Sequence, residues 1–182
     1  MRFSRNIAIR GTESVSAYRK ISGIKNDNEL PEVFLGGWIA RSLYDDFNVN
    51  ARVECYFTQI ASDLGKNVDS DLKRIMGNWR ADVAVYEKGI PTSIIEIKIY
   101  DEGCCAKSVL RDLEKMRELS KITDIETYLA VLITSTTNNT CENRAKSLSN
   151  ILGHDFDYID SPTIAEEGAA DWSWQFACGS FT

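Results

Sequence analysis

The sequence predicts an α/β domain with a mixed central sheet flanked by helices, its elements following in the order helix, three strands, helix, strand. Two observations predict it. Stretches rich in β-branched and aromatic residues occupy 51–59, 80–87, 92–100 and 126–135, and amphipathic helical stretches stand before, between and after them. A third concerns size: 182 residues, 43% of them hydrophobic, suit one domain that buries a sizeable core without disulfide or metal staples. A single domain over 1–182 is therefore expected, with its core at about 28–135, a basic N-terminal arm at 1–27 and a C-terminal extension of helix and strand at 136–182.

The stretch NELPEVFLGGWIARSLYDDF (28–47) sets an Asn cap and a proline in the first turn ahead of Leu30, Phe34, Trp38 and Leu43 at near-helical spacing, which predicts the first long helix. Gly36 and Gly37 in its middle suggest close approach by another backbone. ARVECYFTQ (51–59) alternates as a strand does, and 61–79 reads as a long polar connection with a helical turn near Asp71–Met76. RADVAVYE and TSIIEIKIY, joined by the turn residues Lys88-Gly89-Ile90-Pro91, predict a hairpin. In 104–120 Ala106, Val109, Leu110, Leu113 and Met116 form one helical stripe. ETYLAVLITS (126–135) is nearly all apolar, as a central strand buried on both faces would be. NTCENRAKSLSNILG reads as a helix stopped by Gly153, and FDYI and WSWQFACGSF read as late edge strands. Three antiparallel strands followed by a helical crossover into a fourth make the sheet mixed.

No run of 18 apolar residues is present and MRFSRNIAIRGTESV is no secretory leader, so a soluble, cytoplasmic protein is expected, without a membrane. The five cysteines (Cys55, Cys104, Cys105, Cys141, Cys178) show no CxxC spacing and read as reduced thiols. The net charge is −6, yet residues 1–27 hold Arg2, Arg5, Arg10, Arg19, Lys20 and Lys25 against Glu13 and Asp27, a balance of +4 that leaves −10 for the rest. Such a segment suits either phosphate contact or an ordinary solvated N-terminus.

The chemistry lies in RADVAVYEKGIPTSIIEIKIY (80–100), where Asp82, Glu96 and Lys98 are charges inside otherwise apolar strands. Carrying them into an apolar setting is costly unless they are paired or hold a metal. Strand alternation sends Ile95, Ile97 and Ile99 to the core and Glu96 and Lys98 to the other face, where Asp82 on the neighbouring strand would join them. Two neighbouring carboxylates repel; a hard cation relieves this, and Mg²⁺ in particular uses one or two carboxylates while engaging phosphate. A lysine beside them orients a water or offsets charge growing on phosphorus oxygens. Together they suit hydrolysis of a phosphodiester.

Asp82, thirteen residues, then Glu96-Ile97-Lys98, on two consecutive strands followed by a helix, resembles the PD-(D/E)XK nuclease superfamily, which includes many restriction endonucleases and DNA-repair or recombination nucleases. The predicted order over 28–135 is similar to that group's restriction-endonuclease-like αβββαβ core. The resemblance implies a Mg²⁺-dependent nuclease, with Mn²⁺ as substitute: Asp82, Glu96 and the carbonyl of Ile97 as metal ligands, Lys98 as the catalytic lysine, and a glutamate of the first helix completing the site. That glutamate is expected to be Glu32, with Glu29 second and Glu54 of the first strand as rival. Ala81 stands where the pattern has proline. The implied partner is nucleic acid, DNA foremost, delivered to an acidic body by the basic arm, by a homodimer or by a partner protein. The alternative is a catalytically inactive module of the same fold that binds nucleic acid or assembles with other proteins.

Other features carry less. Lys107 near the start of the helix after the motif is a candidate contact to the substrate backbone, although Lys107, Arg111 and Lys115 also fit a solvated helix face. His154 has no ligand partner at suitable spacing and receives no role. Trp172, Trp174, Phe176 and Phe181 alternate as in a half-buried strand, which favours packing on the sheet over base stacking.

Overall fold

A computed structural model describes residues 2–23, 29–101, 106–135, 138–161 and 173–181. The chain runs through α1 (Ser4–Ser22), α2 (Glu32–Phe47), β1 (Asn50–Tyr56), α3 (Phe57–Asp63), α4 (Ser70–Met76), β2 (Arg80–Glu87), β3 (Ile90–Tyr100), α5 (Ala106–Thr123), β4 (Glu126–Ser135), α6 (Asn138–Leu152), β5 (Tyr158–Asp160) and β6 (Ser173–Ser180). The protein is α/β, with one six-stranded mixed sheet in the order β1-β2-β3-β4-β6-β5. β1, β2 and β3 form an antiparallel meander, and α5 carries the chain over to β4, which pairs parallel with β3. β6 then pairs antiparallel with both β4 and β5. Among the described residues no helix is long and apolar enough to cross a membrane.

Each face of the sheet carries its own apolar layer. On one face α1 and α2 cover Val83, Val85, Ile95, Ile97, Tyr128, Leu132 and Phe176 with Ile7, Leu35, Ile39 and Leu43. On the other, α3, α5 and α6 cover Ala84, Ile94, Leu129, Val131 and Ile133 with Phe57, Ile60, Val109, Leu113, Met116 and Leu148. β3 and β4 are thus buried on both sides, which is why they read as nearly continuous apolar runs.

Four sequence expectations are corrected. The N-terminal basic segment is no free arm: it forms α1, which buries Ile7, Ala8, Gly11 and Val15 against the sheet and precedes the helix expected to be first. Four of its six cations are engaged within the chain, Arg10 with Glu13 and Asp46, Arg2 with Glu87, and Arg5 and Arg19 over the rings of Tyr158 and Trp174, while Lys20 is exposed and Lys25 lies outside the described residues. The first strand ends at Tyr56, because Phe57, Ile60 and Ala61 bury at helical spacing and the Phe57 N–H bonds the carbonyl of Trp79 at 3.0 Å. The connection at 61–79 accordingly begins inside α3, while the helical turn expected near Asp71–Met76 is present as α4. Finally, β6 is an interior strand, with Trp174, Phe176 and Cys178 on one face and Ala177 on the other; among the described residues β5 and β1 form the edges.

In α2 the buried stripe is Leu35, Gly36, Ile39, Ala40 and Leu43, while Phe34 turns towards α1, where it meets the ring of Tyr18 at 4.9 Å, and Trp38 lies beside Phe34. Pro31 holds the N-cap position in extended conformation rather than the first turn, and the expected Asn cap, Asn28, lies outside the described residues. A Cβ built on Gly36 stands 3.6 Å from the carbonyl oxygen of Asp82, so α2 does pass close to the backbone of β2, whereas Gly37 faces open space. Cys55, Cys141 and Cys178 are buried free thiols; Cys104, Cys105 and Trp172 lie outside the described residues.

Candidate active site

The β2–β3 ladder runs as far as Val83↔Ile95, and no pair follows at Asp82 and Glu96, where the same register would continue. Backbone donors of β3 facing the parting strand then need other acceptors. Two carboxylates supply them. Asp82 Oδ2 accepts from the Ile97 N–H at 2.6 Å, and Glu32 Oε1, reaching in from the first turn of α2, accepts from the Ile99 N–H at 3.3 Å. The close pass of α2 at Gly36 brings Glu32 within this reach.

Alternation along β3 holds as expected: Ile95 and Ile97 are buried towards α1 and α2 with Ile99 packed against them, and Glu96 and Lys98 leave by the opposite face. That face is covered. α5 lies over it, and Glu96 retains only 6% exposure. Lys98 Nζ sits among three carboxylates, 3.1 Å from Glu96 Oε1, 3.4 Å from Glu32 Oε2 and 3.4 Å from Asp112 Oδ2 of α5. Asp112 also pairs with Lys115.

Burial sets the protonation of this cluster. Desolvation pushes Asp82 up from the ordinary carboxylate range to about 6, against the lowering effect of the Ile97 N–H and of Lys98. Glu96 rises further, to about 8, through burial first and the charge of Asp82 second, while Lys98 pulls it back only in part. The 3.1 Å contact with Lys98 favours the carboxylate, and burial favours the acid; burial is the larger effect, so Glu96 holds its proton well above the ordinary carboxylate range. Burial alone would lower the pKa of Lys98, but Glu96, Glu32, Asp82 and Asp112 outweigh it and raise it. The lysine is a fixed ammonium.

The four sequence-predicted residues Asp82, Glu96, Lys98 and Glu32 are therefore gathered at one place, and the Ile97 backbone is part of it. Glu54 is not held by Lys98: it is exposed, in left-handed conformation (φ 53°), and its carboxylate pairs with Arg80 at 3.3 Å. Glu29 is exposed, and among the described residues it makes no contact with the cluster. Lys107 is likewise exposed, in the first turn of α5, with no cluster contact among the described residues. His154 packs its ring on Phe181 at 5.1 Å.

Reasoning from the sequence passes over Asp112. It places the acidic residues of α5 outside the apolar stripe, yet Asp112, three after Val109 and four before Met116, lies on it and is 5% exposed. That spacing is the available signal.

A metal is implied only by the resemblance, so the donors must be judged on their chemistry. Among the described residues no three His, Cys, Asp or Glu side chains form a group that could hold a metal ion. Two carboxylates suffice for Mg²⁺, however, which keeps several waters. When ionised, Asp82, Glu96, Glu32 and Asp112 exceed Lys98 and Lys115 by two negative charges. An oxygen-only, partly dehydrated donor set with surplus negative charge fits a hard divalent cation.

Concavity points elsewhere. A pocket of about 420 Å³ lies at the start of β3, walled by Arg2, Glu87, Ser93 and Glu126, and holds none of the cluster. A groove of about 740 Å³ along α5, between Trp79, Arg111, Glu114, Lys115 and Glu118, shares Lys115 alone with it. Buried, mutually perturbed charges are a stronger sign of chemistry than an ordinary surface hollow. Compared with known proteins, the chain matches no family model, no curated protein and no solved structure.

Proposed function

We propose that the protein is a metal-dependent phosphodiester hydrolase of the PD-(D/E)XK kind, with a restriction-endonuclease-like core and DNA as its substrate. The observation that carries this reading is the gathering of Asp82, Glu96, Glu32 and Lys98 where β2 parts from β3, with both strand carboxylates pushed up by burial. The topology of β1 to β4 with α2 and α5 supports it, since the meander and parallel crossover follow the order expected over 28–135. Endonuclease or exonuclease action, in restriction, defence, repair or mobile-element biology, would be equally served by such a site.

Asp82, Glu96 and the carbonyl of Ile97 are the groups that would hold Mg²⁺ or Mn²⁺, which when bound supplies Lewis-acid polarisation of the phosphodiester and neutralises its charge. The chain's own contributions follow from its geometry. Lys98, a permanent ammonium, donates hydrogen bonds to a phosphate oxygen as negative charge grows there; a raised pKa makes it a poor base. Glu32, tied to the β3 backbone and to Lys98, keeps the lysine from swinging into solvent. Burial of Glu96 under α5 lowers the local dielectric and strengthens each of these interactions.

A second reading has its own observation. Asp82 and Glu32 each satisfy a β3 backbone N–H, and Lys98 is fully engaged, which is how a purely structural polar patch in an inactive, binding or assembly module would look. Cation binding separates the two. Mn²⁺ binding followed by electron paramagnetic resonance is expected to saturate in the unaltered protein and to be lost in Asp82→Asn and Glu96→Gln with folding kept. No binding by the unaltered protein would favour the inactive module.

A further inference from the structure

The position of Asp112 extends the hydrolase reading, on which this inference rests, to a residue outside the motif. Val109, Leu113 and Met116 bury one stripe of α5, and Asp112 sits among them where an aliphatic residue would pack without electrostatic cost. A buried carboxylate needs close partners, and Asp112 has two ammonium groups: Lys115 on its own helix and Lys98 from β3, the latter 3.4 Å from Oδ2. Lys98 thus has three carboxylate neighbours, and they are mounted differently. Glu96 belongs to the pair that would take the cation, so its hold on Lys98 is the one given up when the site is loaded. Glu32 is 40% exposed at its side chain and divides its oxygens between Lys98 and the Ile99 N–H. Asp112 is short and its side chain is 7% exposed, fixed by the packing of α5 on the sheet.

We propose that Asp112 is the positioning residue for Lys98, holding the ammonium on the β3 face once Glu96 turns to the cation. Lys115 completes the arrangement by balancing the second oxygen of Asp112, which leaves Lys98 with charge to offer the substrate.

Two double-mutant cycles on the full chain test this. In the first, urea unfolding of Asp112→Asn, Lys98→Gln and the double variant is expected to show non-additive midpoints, which reads the contact in protein that need not be active. In the second, cleavage of plasmid DNA with Mg²⁺, Asp112→Asn is expected to lower kcat about tenfold or more with KM little changed, Asp112→Glu to recover part of it, and Asp112→Asn to have no further effect in the Lys98→Ala background. Asp112→Leu, suited to the apolar stripe, replaces the amide variant if that one does not fold. Independent, multiplying effects, or a rise in KM with kcat kept, would overturn the proposal while leaving the hydrolase reading intact. Absence of cleavage by the unaltered protein would sink both, and the unfolding cycle would then show whether the pair is a structural one.

Discussion

Glu96 concentrates the physics of this molecule, because one carboxyl group both costs stability and makes a site. Its folded pKa is raised to about 8 and that of Asp82 to about 6, above the ordinary values of 4.5 and 3.8. A group whose folded pKa is raised contributes stability below its unfolded pKa and loses it as pH climbs through the folded one. Metal-free protein should therefore lose thermal stability between about pH 4 and pH 8, with Asp82 acting in the lower part of that window and Glu96 extending it upward. Thermal melts at pH 5 and pH 8.5 check this: a fall of several degrees is expected, at roughly 2–4 °C per kcal/mol for a chain of this length. Glu96→Gln should flatten the upper part. Added Mg²⁺ should restore the loss at pH 8.5 but do little at pH 5, since a cation competes with the protons. A melting temperature independent of pH would mean that neither carboxyl is buried as described.

Among the elements, α1 decides how the sheet face behind the site is closed, and its seat depends on Gly11. A Cβ there would lie 2.4 Å from the ring of Phe176, a fully buried side chain with no room to yield. Gly11→Ala is expected to destabilise by about 1–3 kcal/mol, as overpacked cores do, with the urea midpoint as measure. Leu113→Ala in α5 should cost about 2–5 kcal/mol by leaving a cavity over β3, a loss that loosens the lid on Glu96.

Elements with one strong period are legible in the amino-acid sequence. The hairpin of β2 and β3, the amphipathic α5 and the apolar β4 each announce themselves through branched residues or a 3.6-residue stripe, and Gly153 marks the end of α6 through its left-handed conformation. The helix α1 is not legible, because its interface is made by Ala8 and Gly11 as much as by Ile7 and Val15, and small residues give little hydrophobic signal while six nearby cations give a loud one. α3 is hidden for a different reason: Phe57 continues an alternating strand pattern, and only its tertiary partners, Trp79 among them, show that the chain has turned. Asp82, Glu96 and Lys98 stand out as charges inside strands, and Glu32 is marked by its place on a helix. Asp112 escapes notice because the charged residues of α5 look alike until the buried stripe is drawn through them.

For the whole molecule, charge frames the substrate problem. The net charge is −6, and the N-terminal cations that might have met phosphates are mostly spent on Glu13, Asp46, Glu87 and aromatic rings. Few phosphate contacts per chain are expected, so the affinity of a lone chain for duplex DNA should fall only gently with salt, at a slope of about −0.9 per phosphate engaged and no steeper than about −3 in all. Fluorescence anisotropy across a salt series, with Ca²⁺ in place of Mg²⁺, measures it; a steeper slope would indicate a second copy or a basic surface formed on association. Tight association would then need a dimer or a partner protein to add cations to those of one chain.

The most direct measurement is the cutting of supercoiled plasmid, linear duplex and single-stranded DNA by the purified protein with Mg²⁺ or Mn²⁺, beside EDTA and Lys98→Ala controls. The hydrolase reading predicts cutting of at least one form, abolished by EDTA and reduced at least a hundredfold in a Lys98→Ala protein that still folds. Cutting that persists in Lys98→Ala, or no cutting of any form by protein shown to be folded and loaded with metal, would contradict it.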